Sequence, residues 1–214
     1  MASRQPIAVI ALAGGRGSRL GGDKALLMRD GAPVLAGLVG LADEAPALVV
    51  RPSELPAPEL GGVSCEFIPD QVGGGPAAAL VVGLRALVQR LEPESLARSR
   101  VLIVAADIVG LTRAHVRRMA EVLDGSPADG AVWNQQGRPH WLCGLWNLAA
   151  LLDLRQQQRS FVGESVGSVF EGLELALVDL SEVADVDWPS DAEAAGVMLR
   201  AMSAGMQEPT RYEG

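Results

Sequence analysis

The chain has 214 residues, 49% of them hydrophobic, and a formal net charge of −8. That is long and apolar enough for one domain with a substantial core, while the acidic balance argues against a nucleic-acid partner, whose phosphate backbone calls for a broad basic surface. The apolar runs are broken by Gly, Arg or Asp, so no membrane span is expected, and residues 1–13 lack the hydrophobic region and cleavage pattern of a secretory leader.

In chain order, Ile7–Leu12 is a short apolar run of strand length, stopped by a glycine-rich stretch. Pro33, suited to a first helical turn, opens a helix to about Glu44. Ala47–Val50 and Cys65–Ile68 read as strands joined by a proline-rich loop over 52–62. Pro76 starts a helix to about Leu91, Val101–Ala105 is a central strand, and Leu111–Leu123 is a further helix. Residues 130–147 read as paired strands carrying Trp133, Trp141 and Trp146; helices from about Leu148 and from Glu164 follow, then a strand over Leu173–Val178. A last helix begins after Pro189, and residues 204–214 read as a disordered tail beyond a single domain over 1–203. Strand and helix in alternation imply an α/β fold, a Rossmann-like three-layer αβα sandwich with a mostly parallel sheet covered on both faces. A cytoplasmic location is expected, with Cys65 and Cys143, which lack metal-ligand spacing, as buried thiols and not a disulfide.

The chemistry concentrates after the first strand, in the run Leu12-Ala13-Gly14-Gly15-Arg16-Gly17-Ser18-Arg19-Leu20-Gly21-Gly22-Asp23-Lys24. Of the 18 basic residues only Lys24 is a lysine. An arginine-rich composition also fits GC-rich coding, but the single compact ammonium ends the glycine-rich loop, where it can sit among phosphate oxygens. Gly14, Gly15 and Gly17 allow close backbone approach and point N–H groups at an anion, while Arg16, Arg19 and Lys24 add charge, so a polyphosphate is the expected ligand. The spacing of Gly15, Gly17 and Leu20 breaks the dinucleotide-binding fingerprint, and no Gly-Lys-Ser/Thr ending exists for a P-loop.

The pattern Leu-Ala-Gly-Gly-x-x-x-Arg-x-Gly-x-Asp-Lys resembles the signature of the molybdenum cofactor guanylyltransferases, within the wider nucleotidyltransferase superfamily. Phe67-Ile68-Pro69-Asp70, Gly75-Pro76-Ala77, Val101 to Asp107 and Asp185-Val186-Asp187-Trp188-Pro189 agree in order, over about residues 6–200. The resemblance implies the nucleotidyltransferase fold, with Leu12, Ala13, Gly14, Gly15, Lys24, Arg51, Asp70, Gly75 and Asp107 around the nucleotide. It implies Arg19, Lys24 and Asp107 as catalytic residues and Asp107 and Asp187 as ligands of Mg2+. GTP and molybdopterin are the implied substrates, and contacts with molybdoenzyme maturation proteins are implied partners.

Asp107 ends the strand 101–105, where a carboxylate can share a hard cation with phosphate oxygens; it could instead cap the next helix, but Thr112 is the better cap. Asp187 could equally be a turn residue, and Asp185 could substitute for it. Asp70 could accept from the N1–H and amine of guanine, or be a turn residue after Pro69. Gly73, Gly74 and Gly75 let the helix from Pro76 aim its N-terminus at a negative ligand. Two departures from the family pattern stand out. Asp107-Ile108-Val109 replaces Asp-x-Pro, which is expected to relax the turn, and Arg51 stands where Asn is common, free to stack on a base, reach a guanine acceptor or lie on the surface. Arg138 and Trp141 fall where a pterin with a terminal phosphate is expected, but His140 reads first as structural and Trp133, Trp141 and Trp146 as core, and His115 reads as part of a solvated face. The implied reaction moves GMP from GTP to the terminal phosphate of molybdopterin. A cytidylyltransferase, another small-phosphate nucleotidyltransferase and a catalytically weak nucleotide-binding protein remain open.

Overall fold

The computed structural model describes residues 5–14, 19–70, 74–156 and 161–200, with the side chains of 153–156 excepted. Gly15, Arg16, Gly17, Gly73 and the expected tail over 204–214 therefore lie outside the described residues. A seven-stranded sheet forms the centre, built from β1 (Ile7–Leu12), β4 (Ala47–Pro52), β5 (Glu66–Asp70), β6 (Arg100–Ala105), β8 (Gly130–Gln135), β9 (Arg138–Asn147) and β10 (Leu175–Val178). Their order is β10-β8-β9-β6-β1-β4-β5. All the neighbours run parallel except β9, which is antiparallel to both β6 and β8. The reversal comes from a two-residue hairpin turn at Gln136-Gly137, where both residues have positive φ, 53° and 83°. Such a turn matches the twist of the strands it joins.

Side chains alternate across the sheet with period two, and β1 shows the consequence. Ile7, Val9 and Ala11 face α1 (Val34–Val39) and α4 (Arg113–Asp124), whereas Ala8, Ile10 and Leu12 face α2 (Gly75–Val88) and α5 (Leu148–Gln156). Both faces are thus covered, which explains why β1, β4 and β6 are buried at every position. The tryptophans expected in the strand pairs divide accordingly. Trp133 and Trp146 are buried, and Trp146 stacks on Phe170 at 4.0 Å between ring centroids, so truncating it would cost about 3–5 kcal/mol. Trp141 is half-buried against the same cluster, stacked on Phe170 at 5.5 Å.

Several small elements depart from the pattern read in the sequence. The helix expected over 33–44 is confined to Val34–Val39: it follows a hairpin of β2 (Leu27–Arg29) and β3 (Ala32–Pro33) that turns at Asp30-Gly31, and it ends at Gly40, after which Asp43 bridges to Ile7. A short helix α3 (Pro93–Leu96) follows α2. The helix expected from Glu164 is a 3-10 turn, Val166–Phe170. The last helix, α6 (Pro189–Ala194), is six residues long; Gly196 at φ 64° ends it, and β12 (Val197–Leu199) returns to pair with β2. Ile108–Val109 forms β7, which pairs antiparallel with β11 (Ala184–Asp185). Leu20, Leu27, Val109, Val186, Ala192 and Val197 make a separate small core beneath these pieces, so the segment bearing Asp185 and Asp187 is packed down onto the sheet end.

Candidate active site

The carboxyl ends of β1, β4, β5 and β6 open on one side, the place where open α/β sheets bind ligands. A cavity of about 450 Å3 lies there, and its wall includes Gly14, Lys24, Asp70, Gly75 and Asp107. Leu12 and Ala13 reach it from the end of β1. Gly75 sits at φ 81° at the start of α2, and no side chain among the described residues caps this helix, so its N-terminal amides suit a negative ligand. Asp70 lines the cavity from the end of β5.

Lys24 begins a 3-10 turn, Lys24–Leu26, whose capping residue is Asp23; Asp23 Oδ1 accepts from the Ala25 amide at 3.0 Å. From there the Lys24 ammonium donates to Asp107 Oδ2 at 2.6 Å and to Asp187 Oδ1 at 2.5 Å. Asp107 and Asp187 meet although 80 positions separate them, because β7 and β11 pair and the Val186 amide donates to the Asp107 carbonyl at 3.2 Å. Asp191 at the start of α6 completes the support: its Oδ2 accepts from the amides of Asp187 and Trp188 at 3.1 and 2.8 Å. Helix α4 is capped by Thr112, so Asp107 is released from that duty. His115 is no mere solvated residue either, since its Nδ1 accepts from the Thr112 amide at 3.3 Å.

Electrostatics at this cluster are set by burial and by the pairing of Lys24 with two carboxylates. Burial pulls the Lys24 ammonium down, but its hydrogen bonds to Asp107 and Asp187 outweigh that and hold its pKa above the usual lysine value. Asp107 also moves up: burial comes first, the charge of Asp185 second, and together they outweigh Lys24. Asp107, Asp185 and Asp187 each bring a carboxylate oxygen within 4.8 Å of the others. The second oxygen of Asp107, Oδ1, is buried with no hydrogen-bond partner among the described residues. Three hard oxygen donors and one orphaned buried carboxylate oxygen fit a divalent cation such as Mg2+. The side chain of His140 packs on Trp133 and places Nε2 3.2 Å from Asp185 Oδ2, which makes His140 a support of the acidic cluster. Cys143, beneath it, is a thiol pushed up to about 12 by burial and by Asp185, and Cys65 is equally unpaired by disulfide.

Two expectations change. Arg51 is neither on the surface nor in the cavity wall: it is 3% exposed, and its guanidinium binds Asp23 and the carbonyls of Ala13 and Pro56. A carboxylate 28 positions away satisfies it internally, which no spacing in the sequence signals. The turn after Asp107 is not relaxed by the missing proline, because Ile108 and Val109 are buried and tied by the β7–β11 pairing. Arg19 lies outside the cavity wall, with its guanidinium 5.3 Å from the centroid of the Trp188 ring. The roles of Asp23, Asp191 and Trp188 were missed by sequence reasoning; only the acid in the first turn after Pro189 carried a signal, that of a helix cap. A larger cleft of about 1030 Å3, between α1 and the β11–α6 segment, borders the cluster at Asp185 but contains no described residue of the glycine-rich loop. The smaller cavity is the one whose wall brings Lys24 and Asp107 together with Gly14 of the glycine-rich loop.

Among the described residues no helix is long and apolar enough to cross a membrane. The fold is similar to that of molybdopterin-guanine dinucleotide biosynthesis protein A from Archaeoglobus fulgidus, with TM-score 0.63, 18% identity, and coverage of 88% of this chain and 96% of that one. It is also similar to 2-C-methyl-D-erythritol 4-phosphate cytidylyltransferase from Thermus thermophilus, with TM-score 0.61, 18% identity, and coverage of 90% and 98%. In sequence it is 30% identical over 184 residues to the molybdenum cofactor guanylyltransferase of Bradyrhizobium sp. (strain ORS 278), which covers 84% of this chain and 81% of the relative. It is 33% identical over 151 residues to that of Rhodopseudomonas palustris (strain HaA2), covering 69% and 68%. The description of a MobA-like NTP transferase domain fits residues 9–171. With this match over most of its length and a nucleotidyltransferase α/β fold, the chain belongs to the MobA-like NTP transferase family.

Proposed function

We propose that this nucleotidyltransferase transfers GMP from GTP to the terminal phosphate of molybdopterin, releasing pyrophosphate, with Mg2+ as its cofactor. The names of the relatives support that substrate pair. The observation that carries the reading is the convergence of Lys24, Asp107 and Asp187 at a cavity lined by Gly14, Asp70 and the start of α2. Phosphoryl-group transfer asks little covalent chemistry of a protein, so positioning and charge supply most of the rate.

In this reading the amides of the glycine-rich loop and of α2 hold the triphosphate, and Asp70 accepts from the guanine N1–H and amine. Asp107 and Asp187 hold the divalent ion, which when bound supplies positive charge to the α-phosphate oxygens. Lys24 and Arg19 are assigned to the departing pyrophosphate. Lys24 is close enough to the acidic pair to exchange between carboxylates and phosphate oxygens, and Arg19 leaves the Trp188 face to join it. The acceptor phosphate attacks the α-phosphorus in line with the leaving group. A cytoplasmic setting, and handover to proteins that mature molybdoenzymes, belong to the same reading.

Pyrophosphate release measured with each of the four nucleoside triphosphates, with and without molybdopterin, tests it. The expected result is acceptor-dependent release from GTP alone. Release from CTP alone would move the chain to the cytidylyl branch of the superfamily, and tight GTP binding without release would leave a binding protein.

A further inference from the structure

Arg51 stands at the end of β4 beside the nucleotide cavity, and it is only 3% exposed without forming part of the cavity wall. Its partners explain why. Nη1 donates to the Ala13 carbonyl at 3.2 Å and to Asp23 Oδ1 at 3.3 Å, Nη2 donates to Asp23 Oδ2, and Nε donates to the Pro56 carbonyl at 3.0 Å. Ala13 and Asp23 are the two stems of the glycine-rich loop. The Ala13 amide is itself bonded to the Val50 carbonyl at 2.8 Å, so one stem is fixed to β4 twice. The other stem is fixed through Asp23, whose Oδ1 also orders the Ala25 amide and with it the turn that starts at Lys24.

We propose that Arg51 is a positioning residue for the triphosphate: with Asp23 it clamps both stems of the glycine-rich loop, so that Gly14 on one side and the Lys24 ammonium on the other are set for the phosphates before the nucleotide arrives. The proposal rests on the nucleotide reading given above. The clamp needs a planar fork, since two nitrogens face one carboxylate while the same group reaches a carbonyl on each side. The compact ammonium of lysine, without spread donors in a plane, cannot face one carboxylate with two nitrogens and also reach the carbonyls of Ala13 and Pro56. The carboxylate, for its part, would be left buried without its counter-charge if the guanidinium were removed, which makes the loop stem the part of the structure that gives way.

Arg51→Lys and Asp23→Asn test the clamp, the second because its amide oxygen still accepts from Ala25 while its charge is gone. Calorimetric titration with GTP and with GMP, at saturating Mg2+, is the readout, with melting temperature measured alongside. Both variants should lose roughly 10- to 100-fold in GTP affinity, the scale of a misplaced binding group, while GMP affinity changes by less than about twofold because GMP does not extend along the loop. In a Lys24→Ala background the Arg51→Lys loss for GTP should largely disappear, since residues acting as one unit are not additive. Equal losses for GTP and GMP, or a full additive loss in the Lys24→Ala background, would show a base-reading or merely structural arginine and overturn the clamp. Unchanged GTP affinity in both variants would overturn it as well. If Arg51→Lys does not fold, Asp23→Asn alone carries the same outcomes. A wild-type chain that binds no nucleoside triphosphate sinks the nucleotide reading itself, and the clamp with it.

Discussion

At the scale of single residues, the decisive fact is where Lys24 points. Its ammonium lies between Asp107 and Asp187, the two carboxylates assigned to the metal, and so stands in for a cation there. A divalent ion must therefore compete with it, and Lys24→Ala is expected to raise the affinity for Mn2+ without nucleotide by about tenfold, the equivalent of about 1.4 kcal/mol. The same variant should weaken GTP, and Lys24→Arg should not restore it, since a guanidinium is larger and its donors are fixed in a fork. Mn2+ paramagnetic resonance and GTP titration check the two arms; unchanged Mn2+ affinity would show that the pairing does not compete with the metal. Asp107→Asn should lower turnover at least about 100-fold, several kcal/mol of charge stabilisation. Stability should move the other way. The folded pKa of Asp107 is raised, so the folded chain holds that proton more tightly than the unfolded one, and stability falls as pH rises from the ordinary carboxylate value through the folded one. An asparagine does not titrate. Melting temperatures of the Asn variant should thus match wild type at about pH 4 and equal or exceed it at about pH 8; a large loss at the higher pH would mean that Asp107 serves the fold.

At the scale of elements, the acidic cluster depends on two short strands that a helix-and-strand reading of the chain passes over. Gly110 follows β7 with φ 83°, and a Cβ placed on it would stand 2.1 Å from the Glu182 carbonyl oxygen, just ahead of β11. The left-handed backbone and the close approach both demand glycine here. Gly110→Ala should destabilise the chain by about 1–3 kcal/mol and, by pushing β11 away, should also separate Asp187 from Asp107. Thermal unfolding and Mn2+ affinity measured together check this; intact metal affinity would show that the β7–β11 pairing does not set the cluster. Gly83 plays a comparable role on the other face, for a Cβ there would stand 2.8 Å from Ile10 and 2.9 Å from Val50, so α2 lies close enough to β1 and β4 to bring its N-terminus to the cavity.

At the scale of the whole molecule, charge and ligand are coupled. The proposed polyphosphate needs local positive charge in a chain of net charge −8, and among the described residues lining the cavity Lys24 supplies it, beside the start of α2. Nucleotide binding should consequently stabilise the fold only when cation is present. Ligand at 100 times its dissociation constant adds about 2.7 kcal/mol, so the melting temperature should rise by several degrees with GTP and Mg2+ together. Little rise is expected with either alone. A full rise with GTP and a chelator would remove the divalent ion from the site. The buried thiol of Cys143, held far above neutral pH, should remain unreactive toward thiol reagents until the sheet opens, which gives an independent reading of global unfolding.

The large elements and the loop were legible from local sequence. Long apolar runs such as Ile7–Leu12 and Val101–Ala105 are buried on both faces, and no tertiary contact was needed to read them as central strands. The glycine-rich run ending in Asp23-Lys24 named the family and pointed to a polyphosphate ligand, since backbone approach and a compact charge are local properties of those residues. What these residues do to one another follows from contacts between distant segments. β7, β11 and β12 are two or three residues long, too short for a hydrophobic period to register, yet they bring Asp185 and Asp187 to Asp107. Arg51 has the composition of a surface or base-stacking residue and becomes an internal clamp because the turn before Lys24 delivers Asp23 to it across 28 positions. Burial and pairing between distant segments are properties of the folded chain, and that is why the clamp and the cation between two carboxylates had to be seen in three dimensions.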